Sequence, residues 1–189
     1  MSQYLDVDGS AAAYFPPGVT PTAALVLRAS AIIDGYCKRA IEVKSYKERI
    51  PLSDRQRGHV SYWPVVAVTS VKGRPTAGPM GTFFGPAPFE ELAADAVDID
   101  MSIGTVWCGL SPFGSRYGEL EIEYTSGWSP IPESVKVACG ILVGKLSSTH
   151  DTNVKMKKDF DFTIEYFGTS LITPDVADLL AAYVQCSFR

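Results

Sequence analysis

Residues Glu119–Tyr124 constrain the fold more than any other stretch of the chain. Leu120, Ile122 and Tyr124 alternate there with Glu119, Glu121 and Glu123. A period of two is that of a β-strand, which sends the apolar side chains to one face and the carboxylates to the other. Such a strand needs an apolar layer beneath it and water or opposite charge above it. Thr125-Ser126-Gly127-Trp128-Ser129-Pro130 then turns the chain, and the period changes. After Ile131-Pro132-Glu133-Ser134, the residues Val135, Ala138, Ile141, Leu142 and Leu146 recur at helical spacing. Proline at the first helical position and an acid in the first turn suit that start. Gly140 and Gly144 lie four apart in this segment. Each costs a helix about 1 kcal/mol against Ala, so the pair points to close packing, as between helices.

The same reading places the other elements. Thr20-Pro21 predicts a helix start, followed by Leu25, Ala29, Ile32, Ile33 and Tyr36 and an end near Cys37-Lys38-Arg39. Thr173-Pro174-Asp175 opens a short helix with Val176, Leu179, Leu180 and Tyr183 on one stripe. Strands are expected at Ile41–Val43, Tyr46–Ile50, Val97–Ile103 and Phe160–Tyr166, with Thr105–Cys108 continuing or pairing with the third. The β-branched run Val65–Val71, behind Pro64, reads as a buried strand, and Asp54–Gly58 as a charged turn. Residues 72–88 hold eight glycines and prolines and read as a loop that excludes a helix or a central strand. The expected fold is α+β: a small helical bundle, with helices near 20–39, 131–149 and 174–184, packed with an antiparallel β-sheet and hairpins. Residues 1–19 read as an N-terminal arm, 20–184 as a single domain carrying the Gly/Pro-rich loop, and 185–189 as a tail.

Composition narrows the function. Hydrophobic residues make up 46%, and 17 Lys+Arg stand against 21 Asp+Glu for a net charge of -4. The first figure excludes a disordered chain and the second a basic nucleic-acid binder. The most apolar stretch, Val135–Leu146, is broken by Lys136 and Lys145, so no membrane span is expected. The first residues carry no signal-peptide pattern, which makes the cytosol, or an assembly entered from it, the expected compartment.

Cys37, Cys108, Cys139 and Cys186 form no CxxC pair, and neither His59 nor His150 has a Cys or His at metal-ligand spacing. Cys139 and His150 are about three helical turns apart, beyond hydrogen-bond reach. A Cys–His pairing is left only to His59, with Cys37 or Cys108. Gly109-Leu110-Ser111-Pro112-Phe113 lacks the final glycine of a nucleophile elbow, and residues 72–88 lack the Lys-Ser/Thr end of a phosphate-binding loop. The expectation is therefore no catalytic residue, no metal and no cofactor. A small Cys-dependent enzyme stands as the alternative class.

Four segments, in this order, resemble the head–tail connector adaptor proteins of long-tailed bacteriophages. They are Leu25–Arg39 (LVLRASAIIDGYCKR), Trp63–Val71 (WPVVAVTSV), Leu120–Leu146 (LEIEYTSGWSPIPESVKVACGILVGKL) and Asp161–Tyr183 (DFTIEYFGTSLITPDVADLLAAY). The resemblance implies a structural virion protein without chemistry, assembled in the host cytoplasm. It would form a ring with the portal's twelvefold symmetry at the head–tail interface. Its partners would be the capsid portal, the next connector or tail protein, and further copies of itself. DNA would pass through the ring without specific binding, and a negative subunit suits such a channel because it repels phosphate. Glu119, Glu121 and Glu123 are the candidates to line it, with a solvated outer sheet face as the plainer reading. Tyr183, Val184, Phe188 and Arg189 are the candidates for portal docking. A stopper or tail-completion protein is the nearest alternative, although the two long helices count against its mostly β architecture.

Overall fold

A computed structural model describes residues 3–76, 85–93, 96–111, 114–148, 156–159, 162–165 and 171–185, with the backbone alone at 156–159 and 162–165. The fold is α+β, as expected. The chain forms two compact units: Met1–Ile41 with Pro130–Cys186, and Glu42–Ser129.

The first unit is helical. Helix α1 (Ala23–Cys37) is capped by Thr22, whose side chain accepts from the Leu25 amide at 3.3 Å. The helix thus starts two residues after the expected Thr20-Pro21 signal, because a second Thr-x-x pattern supplies the cap. Val26, Ala29, Ser30, Ile33 and Cys37 are buried on α1. The buried stripe is rotated from the expected one, leaving Leu25, Ile32 and Tyr36 half-buried. Ser30 is tolerated in the core because it donates to the Val26 carbonyl at 2.8 Å and accepts from the Tyr4 amide at 3.2 Å.

Helix α2 (Glu133–Ser147) begins one residue after Pro132, which occupies the cap position. It buries Val135, Ala138, Cys139, Gly140, Leu142, Val143, Gly144 and Leu146. So wide an apolar surface needs several partners. It packs against α1, against helix α3 (Pro174–Leu180) and against the 3-10 turn Ala12–Tyr14. The glycine pair does not face a helix. A Cβ on Gly140 would lie 2.0 Å from the Tyr14 carbonyl oxygen, and one on Gly144 would lie 2.6 Å from the Pro16 ring. The glycines admit residues 14–16 of the N-terminal segment, in which Tyr4, Leu5 and Ala11 are themselves buried. The Tyr14 hydroxyl donates to the Glu133 carboxylate and so ties this segment to the start of α2. Strands β8 (Met156–Asp159) and β9 (Phe162–Glu165) form an antiparallel pair between α2 and α3 in the sequence.

The second unit holds two antiparallel sheets. The larger has the order β1-β7-β3-β4, built from β1 (Lys44–Pro51), β7 (Tyr117–Ser126), β3 (Val65–Pro75) and β4 (Glu90–Glu91). The smaller has the order β2-β6-β5, from β2 (Arg57–His59), β6 (Thr105–Cys108) and β5 (Val97–Ile99). Strand β7 is central and keeps its alternation, with Leu120, Ile122 and Tyr124 all at most 1% exposed. They pack with Ile50, Val60, Val65, Val106 and Tyr117.

Three sequence expectations change here. Strand β3 continues through Lys72–Pro75, so the Gly/Pro-rich stretch opens as strand rather than loop. Gly73 is needed there because a Cβ would meet the Tyr117 ring at 2.6 Å. Strand β5 ends at Ile99 instead of running to Ile103. The Asp100 carboxylate accepts from the Ser102 amide at 2.9 Å and the Ile103 amide at 3.3 Å, which turns the chain before Gly104 at φ 73°. Finally, the Val65–Val71 run is not uniformly buried: Val66 is 53% exposed, and β3 meets β4 only at Lys72 and Gly73.

Candidate functional site

The carboxylate face of β7 is the first candidate surface. Register places Glu123 opposite Lys47 and Glu121 opposite Arg49 on β1, and Glu119 opposite Arg74 on β3. Each pair closes: Lys47–Glu123 at 2.6 Å, Arg49–Glu121 at 2.9 Å and Arg74–Glu119 at 3.1 Å, with Lys47 also 3.2 Å from Glu121. Phe89 lies under both guanidinium groups, 4.9 Å from that of Arg49 and 4.2 Å from that of Arg74. The alternation of β7 was legible in the sequence. Its neutralisation was not, because the three cations come from strands dozens of residues away. Opposite charges at directly paired positions stabilise a sheet modestly and set its register.

Arg49 and Lys47 hold the Glu121 carboxyl below its ordinary 4.5 through hydrogen bonds and charge. A lowered folded-state value means that the stabilisation is present above the unfolded value and is lost as pH falls through the folded one. Urea unfolding from pH 7 to pH 3 is therefore expected to show wild type losing its advantage over Glu121→Gln below about pH 4.5. A constant difference across that range would contradict the assignment.

The cysteines and histidines do not converge on chemistry among the described residues. Cys37, Cys108 and Cys139 are buried free thiols, and burial pushes each up to about 11. A thiol so raised is a poor nucleophile at neutral pH. Iodoacetamide at pH 7.5 is expected to leave these three unlabelled until denaturant is added; fast native labelling of Cys108 would revive the enzyme alternative. His59 pairs with Thr105, and its ring stacks edge-on against Trp63 at 5.2 Å. Cys108 lies three residues further along β6, about 10 Å at strand spacing. His150 and Cys186 lie outside the described residues. No group of three or more metal-ligating side chains occurs among those described, and no helix among them is long and apolar enough to cross a membrane.

The C-terminal candidates divide. Tyr183 lies in a 3-10 turn, where its hydroxyl accepts from Ser134 at 3.1 Å. Val184 follows, and the Gln185 amide donates to the Cys37 carbonyl at 3.0 Å, which ties this stretch to the end of α1. Phe188 and Arg189 lie outside the described residues.

One surface escaped the sequence reading. A cleft of about 360 Å³ opens in the second unit between β3 and β5, lined by Val68, Val71, Leu92, Val97, Asp98 and Ile99 among others. Among the described residues, Ala67, Val68 and Ser70 of β3 pair with β7 alone, with irregularities at Val66 and Thr69, and β5 pairs with β6 alone, so both strands turn an open edge. Exposed Val66, Met101 and Ile103 belong to the same region, where the Val65 amide donates to the Met101 carbonyl at 2.7 Å. The sequence signal was the excess of β-branched residues in β3, which looked like burial on every side.

No family model and no curated protein matches the sequence. The fold is similar to that of a solved chain from the neck of an empty GTA particle computed with C6 symmetry. The two are 17% identical with a TM-score of 0.53, over 100% of this chain and 96% of that one. At that identity the likeness establishes a shared α+β fold extending over both units.

Proposed function

We propose that this chain is a structural neck protein of a phage-like particle, forming a ring between the capsid portal and the tail or stopper and continuing the DNA channel. The observation that carries the reading is the fold shared with a neck chain over the full length of this one. Charge and chemistry are compatible with it: the subunit is acidic, and its three described cysteines are buried thiols. A twelvefold ring also contains sixfold symmetry, so twelve copies are compatible with a neighbour computed in C6. In such a ring the Glu119/Glu121/Glu123 face is the candidate channel wall. With its carboxylates paired to Lys47, Arg49 and Arg74, that wall would carry three charges of each sign and be close to neutral, leaving any repulsion of phosphate to the rest of the acidic subunit. The stretch from Tyr183 and Val184 to Phe188 and Arg189 is the candidate portal contact.

The test is cryo-EM of the particle, or of the purified chain mixed with its portal. A ring of this chain below the portal is expected, with β7 towards the bore. Absence of the chain from the neck would overturn the reading, and β7 on the outer wall would overturn the channel assignment alone. Unchanged portal attachment after deletion of 184–189 would remove the docking assignment.

A further inference from the structure

We propose that the cleft between β3 and β5 receives the β8–β9 hairpin of a second copy of this chain, added edge to edge as further strands. The inference rests on the ring reading above and names the contact that would close the ring.

The receiving side is built from main chain as well as side chains. An open strand edge presents unpaired N–H and C=O groups in a row, which is the template for another strand. Here two such edges, β3 over Val66–Ser70 and β5 over Val97–Ile99, border one cleft. Its lining of Val68, Val71, Leu92, Val97 and Ile99 offers apolar contact to the side chains of an inserted strand. Beside it, Val66, Met101 and Ile103 remain 53%, 45% and 50% exposed. Large apolar side chains gathered at an open edge mark a surface that another chain covers.

The entering side is the hairpin. Strands β8 and β9 pair with each other from Met156↔Glu165 to Asp159↔Phe162, and among the described residues no third strand joins them. A two-stranded hairpin is marginal in water without a further strand or a packed face. Its sequence alternates Phe160, Phe162, Ile164 and Tyr166 with polar residues, the pattern of a half-buried sheet. Strand β8 carries Lys157 and Lys158, opposite in sign to the exposed Asp98 of the cleft. A ring made by rotation needs two different, complementary patches on each subunit. The cleft belongs to one unit and the hairpin to the other, so every subunit carries both halves of such a contact.

The experiment places Asp98→Cys and Lys157→Cys in two differently tagged full-length copies, both with Cys186→Ala. Rings are assembled from the mixture, checked by electron microscopy and oxidised. Disulfide-linked heterodimers carrying both tags are expected, at least tenfold above a control pairing Asp98→Cys with the exposed Lys38→Cys. Rings that form without this link overturn the inference and leave the ring reading standing. A chain bearing both cysteines that closes on itself at high dilution also overturns it, because the hairpin then fills its own cleft. A chain that never assembles overturns both readings. In a second arm, 156–165 is replaced by a Gly-Ser linker. Rings should be lost while the thermal transition and helical signal stay within error; persistence of rings overturns the inference.

Discussion

Gly140→Ala is expected to destabilise the helical unit by about 2–3 kcal/mol, although alanine is the better helix former by about 1 kcal/mol. The reason is a carbonyl. The new methyl group would sit 2.0 Å from the Tyr14 oxygen, where ordinary contact begins at 3.4 Å, and the obstacle is backbone rather than a side chain that can swing away. Relief requires residues 12–16 to lift off α2. That would weaken the Tyr14–Glu133 bond and the seating of Pro16 on Gly144. At about 2–4 °C per kcal/mol for a chain of this size, Tm should fall by about 5–10 °C. Gly35→Ala is the internal control. It lies within α1 with nothing within 4 Å of its would-be Cβ, and should stabilise by up to about 1 kcal/mol. Equal stability of Gly140→Ala and wild type in urea titrations would show that the N-terminal segment is not seated on α2.

The second large effect is expected at Gln56. Its side-chain amide pairs with both backbone groups of Tyr117, donating to the carbonyl at 3.0 Å and accepting from the amide at 2.8 Å. Its own carbonyl accepts from the Cys108 amide at 2.9 Å. One residue therefore joins the larger sheet at β7 to the smaller sheet at β6. Gln56 is 8% exposed, so truncation to Ala leaves two buried backbone groups without partners. Each such orphan costs about 1–3 kcal/mol, and a total of about 2–4 kcal/mol is expected. Gln56 also sits at φ 56°, the left-handed region. Gln56→Gly relieves that strain while losing the same bonds, so it should be about 1 kcal/mol less harmful than Gln56→Ala. If both variants unfold with wild type, the amide clamp contributes nothing.

These two residues show how far the sequence could be read. Local rules sufficed where the signal was local. The alternation of Glu119–Tyr124, the proline-led start of α2 and the Thr-Pro start of α3 follow from periodicity and capping, and all three elements stand where the pattern put them. The α+β class follows from the same signals. Reading stopped where a residue's role is set by a partner far along the chain. Gln56 looked like part of a charged turn, because nothing near it announces Tyr117. The Gly140/Gly144 spacing suggested a helix neighbour, because a small-residue stripe records that something approaches and not what it is. The Val65–Val71 run reads as buried because β-branched density is the same whether or not the rest of the chain covers both faces and both edges of the strand.

What the sequence determined by itself is therefore a set of elements and their apolar faces, since backbone period and terminal capping act over a few residues. Only the tertiary structure decided the register that sets Lys47, Arg49 and Arg74 against the β7 carboxylates. It alone decided which segment enters the glycine groove of α2, and which strand edges stay open on β3 and β5. Each of these depends on which distant segments share the space beside a given element, and that choice is made by packing the whole chain at once.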